Sequence, residues 1–371
     1  MDDARTGPLA GLKIVEFAGL GPGPLAAMLL ADLGADVVRV ERAGTERMDP
    51  RDVVARGRRF VALDLKDPGS SAAARRLCEA ADVLIEGFRP GVMERLGLGP
   101  DDLLATNPRL VYARMTGWGQ TGPLANAVGH DINYIAITGA LAAIGPKERP
   151  VAPLNLLGDY GGGSLYLVMG ILAAVVERGR SGRGQVIDCA ICDNVGTMMS
   201  IFQTFARRGL LKEEREANML DGGAHYYGVY ACADGRHVAL GAIEPQFYAA
   251  LRRLAGLDDD AYDAQNDRAG WPELRRRMEA LFATRTQREW CDLLEGTDAC
   301  VAPVLALSEA PSHPHLAARG SFATREDGAV EPAPTPRFSR TQGPLPPRAP
   351  TAPTPLDEIL DGWQADAKQE A

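Results

Sequence analysis

The feature that most constrains this chain is a regular alternation of short apolar strand-type runs with helix-type segments over residues 12–115. Residues 12–17 read as a strand, Gly19-Leu-Gly-Pro-Gly-Pro24 as a turn, residues 25–33 as a short apolar helix and residues 36–41 as the next strand. Further strand-type runs at 60–63, 82–85 and 110–115 are separated by helix-type segments that include 70–80 and 92–95. Strands interleaved with helices in this way bury both faces only as a parallel sheet covered by helices, the Rossmann-like α/β arrangement. Helices expected at about 164–178 and 191–207 complete the region.

The pattern changes after the charged stretch Lys212-Glu-Glu-Arg-Glu-Ala217 and the turn Asp221-Gly-Gly223. Beyond it, residues 226–232 and 237–240 are placed to pair through the turn 233–236, and helices follow at about 245–257, 272–283 and 287–295, a smaller α+β unit. Proline recurs through 331–355 too often for a helix or a central strand, so this segment is expected as an extended strap or loose tail. A length of 371 residues suits two domains of about 100–200 residues each. The expected division is a large domain at 1–210, a linker at 211–224, a small domain at 225–322, and a return strap with a C-terminal tail at 323–371. The last dozen residues show no pattern and are expected to face solvent.

Composition narrows the function. Forty basic against 49 acidic side chains leave a net charge of −9, which argues against a nucleic-acid binder that neutralises phosphates. The six cysteines are too dilute for a secreted disulfide framework. Met-Asp-Asp-Ala-Arg at the start carries acid where a signal peptide needs base, and the most apolar stretch, 165–176, is shorter than the ~20 residues of a bilayer span. The expectation is a cytoplasmic protein with no membrane span.

Several motifs have bland readings. Gly117-Trp-Gly-Gln-Thr-Gly122 matches G-x-G-x-x-G, but Pro123 follows and no helix begins there, so a structural turn is favoured over a dinucleotide fingerprint. Glu41 ends its strand as a ribose-binding acid would, while Arg42 beside it favours a phosphate. Cys189-Ala-Ile-Cys192 has no second pair or nearby histidine to complete a zinc site. His225, His237, His313 and His315 read as structural, and no G-x-S-x-G elbow supports a serine hydrolase. Two segments differ. Gly129-His-Asp-Ile-Asn-Tyr134 sets a histidine and a carboxylate ahead of an apolar stretch, and in Gly158-Asp-Tyr-Gly-Gly-Gly163 the glycines allow close backbone approach around Asp159, which as a bland reading caps a turn.

In order and over nearly the whole chain, these segments resemble the α-methylacyl-CoA racemase branch of the family III CoA-transferases (CaiB/BaiF). The resemblance is carried by Gly21-Pro-Gly-Pro24 with Leu33-Gly-Ala-Asp-Val-Val-Arg39, Glu86-Gly-Phe-Arg-Pro-Gly91, Arg114-Met-Thr-Gly-Trp-Gly-Gln-Thr-Gly122, and the two segments around His130 and Asp159. Asn218-Met-Leu-Asp-Gly-Gly-Ala224 and Gly241-Ala-Ile-Glu-Pro-Gln-Phe247 extend it into the smaller unit.

The resemblance implies an interlocked homodimer with each site where one subunit's large domain meets its partner's small domain. It implies an isomerase of lipid and fatty acid metabolism that epimerises 2-methylacyl-CoA, with His130 and Asp159 as the acid/base pair and Glu244 supporting the histidine. Coenzyme A, part of the substrate, would lie against Arg42, Leu63, Asp64, Leu65, Lys66, Gly87, Phe88, Arg89 and Arg95. The thioester would lie near Gly129, Asp131, Ile132, Asn133 and Tyr134, with the Asp131 amide as oxyanion donor. No metal or separate cofactor is implied. Proton removal from one face of an enolate and return to the other needs two bases, whereas a transferase would use Asp159 as a nucleophile and have no need of His130. A non-catalytic acyl-CoA-binding protein would keep the arginines without the acid/base pair.

Overall fold

A computed structural model describes residues 6–44 and 48–369. Residues 1–5, on which the leader argument rests, and the last two residues of the tail lie outside the described residues. The chain divides into two compact units, one of residues up to 138 with 153–198 and 320 onward, the other of 139–152 with 199–319. Residues 139–152, 199–224 and 320–322 are thus partitioned differently from the division based on composition.

In the first unit the expected alternation is realised as β1 (Lys13–Phe17), α1 (Pro22–Asp32), β2 (Asp36–Arg42), β3 (Arg58–Leu63), α2 (Pro68–Glu79), β4 (Val83–Glu86), α3 (Val92–Arg95), α4 (Pro100–Thr106), β5 (Val111–Thr116) and α5 (Asp131–Ala136). After an excursion carrying the short α6 (Ala140–Ala143), the unit resumes with a π-helical segment (Leu156–Leu165), α7 (Tyr166–Ser181), β6 (Val186–Ala190) and α8 (Ile191–Met198). The six strands form one parallel sheet in the order β3-β2-β1-β4-β5-β6. Register aligns Val15 with Val38 and Leu84, and Leu84 with Tyr112. That row packs with Leu77, Cys78 and Met93 as one buried face. The alternate residues Ile14, Val37, Val83 and Val111 are equally buried, and α1 and α7 pack against the strands. Burial on both faces explains why the strands read as continuous apolar runs.

Three expectations change. The π segment and α7 form one helix, Leu156–Ser181, of 26 residues, long and apolar enough by length and composition to cross a membrane, so the length argument drawn from 165–176 does not hold. Leu167, Ile171 and Ala174 of this helix are buried in the unit, whereas Leu156, Leu165, Met169 and Val176 are exposed. The expected helix 191–207 is two helices, because the chain leaves the first unit after α8 and enters the second with α9 (Ser200–Arg207). Where it is described, the end of the chain is not a loose tail: α14 (Leu356–Gln369) buries Ile359, Leu360 and Trp363 in the first unit's core. The proline-rich strap reaches α14 along β3, where Gly57 N–H donates to Pro347 O and Thr354 N–H to Phe60 O, both at 2.8 Å.

The second unit pairs β7 (Tyr227–Ala231), β8 (His237–Gly241) and β9 (Val301–Val304) antiparallel, with α10 (Pro245–Ala255), α11 (Trp271–Phe282) and α12 (Gln287–Leu294) packed around a core rich in aromatic residues that includes Tyr226, Tyr230, Trp271, Phe282 and Trp290. A short α13 (Pro314–Ala318) closes it, and the hairpin β10 (Phe322–Thr324) with β11 (Val330–Pro332) returns the chain to the first unit.

Candidate active site

Strand order reverses direction between β1 and β4, and open α/β sheets bind ligands at such a point, beyond the carboxyl ends of the strands. A cavity of about 530 Å³ opens there, lined by Phe17 to Leu20 after β1, Arg39 to Arg42 on β2, Leu63 to Lys66 after β3, and Phe88, Val92 and Leu96 after β4. Of the residues expected around coenzyme A, it brings together Arg42, Leu63, Asp64, Leu65, Lys66 and Phe88. Gly87, Arg89 and Arg95 are exposed on the adjoining loop and α3, and are not among the cavity's described lining residues.

Beneath the cavity lies a buried ion network absent from the sequence reading. Arg39 pairs with Glu41 at 2.6 Å and Glu16 at 3.0 Å, and Arg58 reaches the other Glu16 oxygen at 2.8 Å. Glu41 is therefore occupied by Arg39, which accounts for its strand-end position without a ribose. Arg42 and Lys66 are exposed at the cavity's edge.

The segments around His130 and Asp159 meet within the same unit, where α5 packs against the π segment. His130 is the N-cap of α5, exposed, with its backbone N–H donating to Asn133 Oδ1 at 3.0 Å. Asp159 sits in the first turn of the π segment and is half-buried. Its backbone N–H donates to Asp131 Oδ2 at 2.7 Å. Burial pushes the Asp159 carboxyl above the ordinary carboxylate range and the Asp131 charge adds to this, against a hydrogen bond from Asn155 and the charge of His130. A carboxyl so placed holds a proton more readily than a solvated one and remains within electrostatic reach of an imidazole, which suits a pair that exchanges protons.

The glycines of both motifs are explained by close approach. A Cβ on Gly158 would stand 2.3 Å from Asp131 Oδ2, and one on Gly21 would stand 2.8 Å from Asp159 Oδ2. Gly117 and Gly129 make room for the Tyr134 ring, which packs edge-on against Trp118 with centroids 4.8 Å apart. Burial, with the Asp159 charge added, raises the Tyr134 phenol. The G-x-G-x-x-G match is a turn, with Gly119 N–H donating to Thr116 Oγ1 and Gln120 N–H to Asp188 Oδ2, both at 3.0 Å. Ile132 and Asn133 are exposed on α5. Glu244 lies in the second unit as the exposed N-cap of α10. Cys189 is buried at the end of β6 and burial pushes its thiol up to about 11, the behaviour of an inert thiol. Sequence reasoning missed Asn155, and it named Gly21 and the Asp131 carboxylate without the roles they take here, which exist only once the π segment, α1 and α5 converge.

A family model described as CoA-transferase family III matches residues 9–354. The chain is 48% identical over 334 residues to α-methylacyl-CoA racemase of Mus musculus, covering 90% of this chain and 87% of that protein. To the Homo sapiens protein of the same name it is 47% identical with the same coverage. Among solved structures, a CaiB/BaiF family protein from Brucella suis superposes with a TM-score of 0.81 at 25% identity, covering 97% of this chain and 100% of that one.

Proposed function

The chain belongs to CoA-transferase family III, and we propose that within it this protein is a racemase that interconverts (2R)- and (2S)-2-methylacyl-CoA by two-base proton transfer. The observation that carries the reading is the packing of α5 on the π segment, which brings His130 at the α5 N-cap and the half-buried Asp159 into one site. One base removes the α-proton, the thioester becomes an enolate, and the conjugate acid of the other base protonates the opposite face. Each base contributes ~10²- to 10⁴-fold, with oxyanion stabilisation adding several kcal/mol. The Asp131 N–H, in the first turn of α5, is the oxyanion donor.

Coenzyme A lies along the cavity beyond β1 to β4, its phosphates met by Arg42, Lys66, Arg89 and Arg95, while Gly129, Ile132, Asn133 and Tyr134 border the thioester. The unit carrying the six-stranded sheet is the CoA-binding domain. Glu244 comes from the smaller unit and supports His130 in an interlocked homodimer. The chemistry calls for no metal, nicotinamide or flavin, and the protein works in the cytoplasm.

The test is incubation of one 2-methylacyl-CoA epimer in deuterium oxide with no acceptor acid, following epimer ratio and α-deuterium together. Parallel growth of both supports the racemase. Turnover only after adding an acceptor carboxylate would return Asp159 to the nucleophile role, and binding without either reaction would leave an acyl-CoA-binding protein.

A further inference from the structure

Asp131 is the unexplained group of the site. Its side chain is only 8% exposed, yet Oδ1 is buried with no hydrogen-bond partner among the described residues. Leaving a buried acceptor unmet costs stability, so a carboxylate retained in this state calls for a role beyond packing. Its other oxygen, Oδ2, is committed to the Asp159 amide at 2.7 Å, and Gly158, the residue before Asp159, has no Cβ exactly where that oxygen enters.

We propose that the Asp131 side chain is the positioning residue for Asp159, pinning the π segment through the Asp159 amide and setting a second carboxylate beside the Asp159 carboxyl. The π segment gives the contact its importance. It opens after Leu154, a non-glycine residue with φ of 56°, and its turns lack the regular α-helical ladder, so the position of Asp159 depends on anchors from outside. Among the described residues these are Asp131 on the Asp159 amide, Pro22 O of α1, which accepts from the Ser164 hydroxyl at 2.8 Å, and the Asn194 carboxamide of α8, which donates to Gly162 O at 2.8 Å. Only Asp131 is charged.

The surrounding elements leave Asp131 as the group placed to weaken the acidity of Asp159. On α5 and its cap, His130 acts in the opposite direction and Tyr134 is itself perturbed by Asp159. The π segment carries Tyr160; α8, packed on it, carries Cys192 and Asp193; β6 carries Asp188 and Cys189; α7 carries Tyr166, Glu177, Arg178 and Arg180; and α1 carries only Asp32, in its last turn. Of the charges on these elements, those of Asp131 and His130 act on Asp159.

This inference rests on the racemase reading, so the assay isolates Asp159. In a His130→Ala background, single-turnover α-deuterium washout is followed against pH from the epimer that Asp159 deprotonates, with CoA affinity and circular dichroism measured alongside. Adding Asp131→Asn keeps an acceptor for the amide and removes the charge. The acid limb should move down by about one pH unit. Adding Asp131→Ala removes the anchor as well, and the plateau should fall ~10²-fold, as for a misplaced base. If Asp131→Ala does not fold, the Asp131→Asn profile decides alone. An unshifted acid limb in Asp131→Asn with washout intact overturns the positioning role and leaves the racemase standing. No washout from either epimer by the wild-type enzyme at any pH is instead a failure of the racemase reading.

Discussion

Gly158→Ala isolates the packing that places Asp159. The added Cβ would stand 2.3 Å from Asp131 Oδ2, 2.7 Å from its Cγ and 3.0 Å from Ile135 Cγ2. Ordinary van der Waals contact begins at 3.4 Å, so the difference, 3.4 − 2.3, requires Asp131 or the π segment to retreat by about 1.1 Å. A retreat of that size takes the 2.7 Å contact between the Asp159 amide and Asp131 out of hydrogen-bond range. Misplacement of a catalytic group by about 1 Å costs on the order of 10²-fold, or about 2.7 kcal/mol of transition-state stabilisation. The backbone offers no competing explanation, because the Gly158 φ is not in the left-handed region and alanine is the better helix former. The rate is read as α-deuterium washout at saturating acyl-CoA, with CoA affinity measured separately. Gly196→Ala on α8, where nothing lies within 4 Å of the new methyl group, is the control and should leave the rate unchanged. Gly158→Ala with wild-type washout and wild-type folding would refute the argument that this glycine exists to admit Asp131.

Three further outcomes concern stability. His225 is fully buried with Nε2 2.7 Å from the Tyr248 hydroxyl, and burial lowers its pKa from the ordinary 6.5 to about 4. Between those values the unfolded chain binds a proton that the folded chain refuses, so stability is complete above pH 6.5 and falls by about 3 kcal/mol toward pH 4. Urea unfolding of the second unit across that range should show the slope, and His225→Phe should flatten it. Arg58→Met strands Glu16 without one of its two buried partners and should cost about 3–5 kcal/mol in urea unfolding, whereas an effect below about 1 kcal/mol would mean that Arg39 alone satisfies it. Trp363→Ala removes a side chain that is 2% exposed and donates to Asp36 Oδ2 at 2.8 Å; a loss of about 3–5 kcal/mol is expected, and a neutral result would show that α14 is not part of the core.

The contrast between what the sequence disclosed and what it hid follows from whether a signal is local. β1 to β5 were legible because burial on both faces concentrates apolar residues into runs bounded by turns. β6 was missed: Val186 and Asp188 are exposed on an edge strand, and Ala190 passes directly into α8 with no turn between them. α14 did carry signals, with Pro355 ahead of it, Asp357 and Glu358 in its first turn, and Ile359, Leu360 and Trp363 on one face, but the prolines before it drew the whole segment into a tail. In the site, His130 and Asp159 stood out through their glycine-bordered motifs. The acceptor for the Asp159 amide, the carboxamide of Asn155 and the approach of Gly21 become visible only when α5, the π segment and α1 are brought together, and no spacing rule encodes that meeting.

The most direct test of the central claim is single-turnover deuterium washout from each pure epimer of a 2-methylacyl-CoA, in wild type, His130→Ala and Asp159→Ala. The two-base account predicts that each variant loses washout from one epimer by ~10²-fold or more, that the affected epimer is opposite in the two variants, that epimer interconversion fails in both, and that acyl-CoA binding persists. Unimpaired interconversion in His130→Ala would contradict it.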